Sequence, residues 1–231
     1  MRLPPLSPLR PGTLPVLAAA LAALALGACG SSSSSSSSAA STSSSAGASS
    51  STSAASPQLG YEGVAIESGP AIAPPVMASS KTVDGIRCGA TEQLAYHIHA
   101  HLAVFVNGVE RSLPAGIGIP GSTQQQTGQG PVAAGGQCIY WLHTHTADGI
   151  IHVESPTQRV YTLGNFFDEW GQPLTPTQVG TARGRITAYL NGKLWRRSVR
   201  DLPLLPHGTI QLDIGAPAPP LQSVNWSQTS L

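Results

Sequence analysis

Residues 96 to 108, YHIHAHLAVFVNG, leave the backbone little choice. Ile98, Ala100, Leu102, Val104 and Val106 are apolar at every second position, while His97, His99 and His101 alternate with them, followed by Ala103 and Phe105. Side chains of an extended strand point to opposite faces in turn, so this pattern defines a strand with an apolar core face and a histidine face. Asn107-Gly108 follows at once. Both residues tolerate the positive φ that the central positions of a type I′ turn require, so VERSL is expected to return as the partner strand.

The same device recurs along the chain. ITAYLNGKLWRRSV repeats the apolar run, an Asn-Gly pair (Asn191-Gly192) and a basic-then-apolar return. CIYWLHTHT runs into Asp148-Gly149 and returns as IIHVES, GTIQLDIG reads as a last strand, and residues 64–67 read as a short early one. Leu163, Phe166, Phe167 and Trp170 stand at i, i+3, i+4 and i+7, which predicts a short amphipathic helix closed by Gly171, with Asp168 and Glu169 on its solvated side. LPAGIGIPG and GSTQQQTGQGPVAAGGQ carry no period and read as a flexible loop. The expected fold is mostly β: a sandwich or partly open barrel of about seven to nine strands built from hairpins, with one or two short helices. One domain over residues 58–215 is long enough for a proper core, and a Pro-rich tail, 216–231, closes the chain.

Six of the seven histidines fall on the first of these strands and on the hairpin around Asp148-Gly149. If Asp148 and Gly149 are the two turn residues, His145 faces His152 and His143 faces Glu154, all four on one side of the ribbon. Same-face neighbours along a strand are about 6.5–7 Å apart and paired Cβ atoms about 5 Å. Imidazoles so placed can converge on one ion at about 2.0–2.1 Å from each nitrogen. Three histidines and a carboxylate suit a divalent transition metal, zinc or copper first; with Met only at positions 1 and 77, soft Cu(I) sites are disfavoured. His97, His99 and His101 offer a second set, and the spacing is compatible with one shared site or two. His207, in LPHG, reads as a turn residue.

The N-terminus places this domain outside the cytoplasm. Arg2 and Arg10 precede an apolar stretch from Leu14 to Leu26 that is too short to span a bilayer and reads as a signal peptide over residues 1–28. Leu26-Gly27-Ala28-Cys29 resembles the lipobox of bacterial lipoproteins, which implies cleavage before Cys29 and a diacylglycerol on its sulfur. Residues 29–57 are then the lipidated cysteine and a tether of almost only Ser, Ala, Thr and Gly, with a coil reach of roughly 30 Å. The domain would face the periplasm or the cell exterior, with the membrane as its partner through that anchor. In an exported chain the remaining pair, Cys88 and Cys138, is expected to be oxidised to a disulfide. A formal net charge of +1 argues against a nucleic-acid partner, and the basic run of Arg183, Arg185, Lys193, Arg196, Arg197 and Arg200 reads as a solvated strand face.

Known catalytic patterns fit poorly. HTHTADG misses the His-x-His-x-Asp-His signature of metallo-β-lactamase-type hydrolases, because the Asp comes one residue late and Gly149 replaces the final His. Glu110 should pair with Phe105 across the Asn-Gly turn, away from the histidines, so the cupin pattern is incomplete. A cupin-like oxygenase or hydrolase using the same histidines remains the enzymatic alternative to a metal-binding protein, and a structural module without metal is the third reading. YHIHAHLAVFVNG, LPAGIGI, CIYWLHTHTADGIIHVESP and LGNFFDEWGQPL resemble a family of exported bacterial proteins of uncharacterised activity, over about residues 85–215. That resemblance implies a single exported domain and assigns no catalytic residue.

Overall fold

The computed structural model describes residues 56–75 and 81–231. The expected signal peptide, the expected lipidation site Cys29 and the expected tether as far as residue 55 lie outside the described residues.

In chain order the strands are β1 (Cys88–Gly89), β2 (Tyr96–Val106), β3 (Val109–Arg111), β4 (Ser122–Thr127), β5 (Gly130–Gly135), β6 (Ile139–Tyr140), β7 (Leu142–His143) and β8 (Ile150–Ser155). After helix α1 (Leu163–Trp170) come β9 (Leu174–Thr175), β10 (Gln178–Val179), β11 (Ala182–Arg183), β12 (Ile186–Leu190), β13 (Lys193–Trp195) and β14 (Gly208–Ile214). The main sheet runs β13-β12-β14-β2-β8-β7, with β3 also on β2. The fold is mostly β, and among the described residues no sheet closes into a barrel.

The alternating strand is the middle of this sheet. On one edge β2 pairs in parallel with β14, from Ala100 opposite Gly208 to Val106 opposite Ile214. Its other edge is shared by β8 along residues 96–101 and β3 along 104–106, both antiparallel. Both Asn-Gly pairs turn as the sequence predicts, with φ of 51° and 78° at Asn107 and Gly108 and 49° and 73° at Asn191 and Gly192. Glu110 duly lies opposite Phe105.

The apolar face of β2 is packed. Ala100, Leu102 and Val104 join Ile151 and Val153 of β8, Ile210 and Leu212 of β14, and Phe166, Phe167 and Trp170 of α1 in one buried cluster. The helix is fixed at both ends. Thr162 Oγ1 accepts from the Asn165 amide at 3.3 Å, and Gly171 takes the left-handed conformation at φ 71° that lets its N–H cap the last carbonyls.

Three sequence expectations change. The Gln- and Gly-rich loop is a hairpin, β4 against β5 from Ser122–Gly135 to Thr127–Gly130. Its strands are half-exposed and carry little hydropathy signal, and its turn is closed by Thr127 Oγ1, which donates to the Gly130 carbonyl at 2.7 Å and accepts from the Gln129 amide at 3.2 Å. The early strand at 64–67 shrinks to a single bridge, Leu59 to Ala65. Glu169, expected in solvent, is fully buried, because α1 is covered by β7 on that side as well. Asp168 keeps to the surface and pairs with Arg200.

Burial pushes the Glu169 carboxyl well above its ordinary 4.5, opposed only by the Leu142 amide. The folded protein therefore holds a proton that the unfolded chain releases, and stability falls as pH rises above about 4.5, by at most about 1.4 kcal/mol per unit for this one group. Glu169→Gln should flatten that slope. The unfolding free energy from urea titrations should fall between pH 5 and pH 8 by at least about 1 kcal/mol less in the variant than in the wild type; equal falls would contradict the assignment.

Candidate metal centre

Register brings the histidines together. Across β2 and β8, His97 lies opposite Glu154 and His99 opposite His152. Across β7 and β8, His143 lies opposite His152. The sequence puts His145 opposite His152 and His143 opposite Glu154, so the true register is shifted by two residues. The cause is visible in the backbone. After His143 the chain leaves β8, since Thr144 exchanges bonds with Gly116 and Ile117 at 2.9 Å each, and the His145 carbonyl accepts from Ala133 at 2.7 Å. The wide loop is held by Asp148, whose side chain accepts from the Ile150 amide at 3.1 Å and from Thr146 Oγ1. A shift of two preserves strand parity, and His143, His152 and Glu154 still share one face.

The side chains then form a continuous cluster. His97 Nε2 is 2.9 Å from His99 Nε2 and 3.1 Å from Glu154 Oε1. His152 reaches Glu62 Oε1 through Nε2 at 2.9 Å and Glu154 Oε1 through Nδ1 at 3.5 Å. His143 Nε2 lies 3.9 Å from Glu154 Oε2, and His145 Nε2 lies 3.5 Å from Glu92 Oε1. The rings of His143, His145 and His152 are within 5.1 Å of one another, centre to centre. Three groups have all their potential ligand atoms within 4.8 Å: His97, His99, His152 and Glu154; His143, His145 and His152; and Glu92, His143 and Glu154. These groups could hold a metal ion.

Two rings are oriented for that task. His143 Nδ1 stands 2.9 Å from the Tyr140 carbonyl and His145 Nδ1 3.0 Å from the Ala133 carbonyl. A carbonyl can only accept, so each Nδ1 carries the hydrogen and each Nε2 turns a lone pair into the cluster. His143 Nε2 and Glu154 Oε2 are buried without a hydrogen-bond partner.

The electrostatics separate the rings. Burial, then the neighbouring His152 and His97, lower His99 to about 3, and burial holds the fully enclosed His143 well below the usual range. Burial opposes charge on His152 too, but the carboxylates of Glu154 and Glu62 outweigh it and raise that ring to about 9. Burial would likewise lift Glu62, and the hydrogen bond from His152 pulls it below its ordinary value instead. A cationic His152 between carboxylates, beside the neutral imidazoles of His99 and His143, is the arrangement these surroundings favour.

His101 does not join the cluster. It lies opposite Ile150, beyond the end of the histidine ladder, and its ring donates to the Asp148 carbonyl while burial lowers it to about 4. Glu62 and Glu92 were not identified from sequence. Glu92 sits five residues before His97, with nothing in its spacing to mark it. Glu62 comes from the segment before the β domain's first strand, held in place where Ser230 donates its amide to the Glu62 carbonyl at 3.1 Å. The Cys88–Cys138 disulfide, with Cα atoms 5.4 Å apart, links the segment bearing Glu92 to the one entering β7. A cavity of about 590 Å³ opens over the cluster and is lined by His97, His99, His145, His152 and Glu154. His207 occupies a turn at φ 53°, donates its amide to the His99 carbonyl at 2.8 Å and stacks its ring on Trp226 at 4.6 Å, and it belongs to none of the three groups.

No family model, curated protein or solved structure matches the chain.

The close approach of Gly118 to β7 positions His143. A Cβ there would come within 2.2 Å of the Leu142 carbonyl and 2.6 Å of His143 Cβ, and φ is +76°. Gly118→Ala should cost on the order of 1–3 kcal/mol and displace the His143 ring. Thermal unfolding should show a lower midpoint; an unchanged midpoint would mean that β7 is not braced by this contact.

Proposed function

We propose that this chain is a membrane-tethered, extracytoplasmic protein that binds a divalent transition metal, zinc or copper, through its histidine face. The observation that carries this reading is the convergence of imidazole nitrogens. Donors of a tetrahedral ion at about 2.0–2.1 Å stand roughly 3.3–3.4 Å apart, so groups already within 4.8 Å need only small side-chain adjustments to close on one. The Nδ1 contacts of His143 and His145 to carbonyls are the outer support that metal-ligating imidazoles typically have. Zinc and copper fit a set of neutral imidazoles with a carboxylate and no thiolate. The export signal and the Leu26-Gly27-Ala28-Cys29 segment support the tether, and an oxidised Cys88–Cys138 pair suits a compartment outside the cytoplasm.

A second reading, a metal-dependent enzyme on the same ligands, is favoured by one feature: the cavity opens directly onto the cluster. An ion there would have a coordination position facing that space, from which it could polarise a substrate or activate water. A purely storing or delivering site has no need of such a cavity.

Elemental analysis of the untagged full-length protein, purified without chelator and dialysed, tests the metal reading. Wild type should retain at least one equivalent of zinc or copper per chain. His152→Ala, which removes a member of two of the three groups, should weaken binding by more than the roughly 10–100-fold typical of an outer-sphere partner. Equal metal content in wild type and His152→Ala, or none in either, would leave the histidines structural.

A further inference from the structure

The histidine face has more donors than one ion can use. Five imidazoles, of His97, His99, His143, His145 and His152, meet three carboxylates, of Glu62, Glu92 and Glu154. A zinc site takes four ligands, and even an octahedral ion takes only about six. Nor are the donors arranged around one point. They divide into a group on the β2 side (His97, His99) and a group on the β7 side (His143, His145, with Glu92 3.5 Å from His145), while His152 and Glu154 each fall within 4.8 Å of ligand atoms from both.

Resting on the metal-binding reading above, we propose that this face is a dinuclear centre, with one divalent ion on the β2 side, a second on the β7 side, and Glu154 bridging them. The Glu154 carboxylate is already split between the two groups. Its Oε1 is 3.1 Å from His97 Nε2, while its Oε2 points to the other group, 3.9 Å from His143 Nε2. Carboxylate oxygens bound in this way set two ions roughly 3.5–4 Å apart, the spacing of two-metal sites. Oε2 is also buried and without a hydrogen-bond partner, as is His143 Nε2 across from it, so each lacks the interaction that an ion between them would supply.

His152 stands at the seam, one ring nitrogen toward Glu154 and the other toward Glu62, which lets it serve either ion.

The test is stoichiometry and magnetic coupling with Cu²⁺ as the probe. Full-length protein, stripped with chelator and titrated with Cu²⁺, should bind two equivalents, and the loaded protein should show a half-field electron paramagnetic resonance signal from two close Cu²⁺ ions. Glu92→Gln alters an exposed residue and His145→Ala a partly buried one at the edge of the cluster, and each should bind one equivalent and lose the half-field signal. His97→Ala should do the same from the other side. One equivalent in the wild type overturns the dinuclear centre and leaves the single-ion reading standing. Two equivalents without coupling overturn the shared centre in favour of separate sites. Failure to bind any Cu²⁺ overturns the metal-binding reading itself. The wild-type spectrum decides the matter even if a variant fails to fold.

Discussion

Everything at the candidate site depends on the pairing of β2 with β8. That ladder sets His99 opposite His152 and His97 opposite Glu154, and strand parity does the rest. Because side chains alternate, the residues that place the strand in the core, Ala100, Leu102 and Val104, are the neighbours of those that face the cluster. A slip of one residue would exchange the two faces, putting imidazoles in the apolar core and aliphatic side chains in the pocket. The packing of α1 on the apolar face is therefore also what keeps the histidines aimed.

A second layer of contacts turns an array of histidines into a site. β7 is only two residues long, and its departure from β8 after His143 sends Thr144 and His145 to pair with Gly116, Ile117 and Ala133. Those bonds carry His145 to the edge of the cluster and supply the Ala133 carbonyl that fixes its ring. Glu62 and Glu92 arrive from outside the main sheet. Burial first, and then the neighbouring imidazoles, depress His99 and His143, while His152, held between Glu62 and Glu154, is raised. The same carboxylates that hold a proton there are the ones positioned to neutralise a cation.

What the sequence made legible follows from what is local. The alternation of residues 97–106, both Asn-Gly turns, the α1 stripe and the Cys88–Cys138 pair are short-range patterns or simple counting, and the structure has each of them. The mostly β class followed from them. The register of the second hairpin did not, because Asp148-Gly149 resembles a two-residue turn while the loop is held wide by Asp148 side-chain bonds and by pairing with distant strands. Parity survived that error, and with it the shared face of His143, His152 and Glu154. Glu62 and Glu92 are not legible because a single carboxylate off the alternating strands carries no spacing signal, even five residues from His97 as Glu92 is. The β4-β5 hairpin was missed for a related reason: Gln, Thr, Gly and Ala pair through their backbones and leave no hydropathy period. Glu169 broke the amphipathic reading of α1 because the helix is covered on more than one side.

If the imidazoles of this face coordinate metal directly, X-ray absorption at the metal edge of the zinc- or copper-loaded protein should report it. The expected spectrum has a shell of nitrogen and oxygen only, at about 2.0–2.1 Å, with the outer-shell scattering of at least three imidazoles per chain and no sulfur near 2.3 Å. A spectrum without imidazole scattering, or one dominated by water oxygens, would show that the ion sits elsewhere and that the histidine face is not a metal centre.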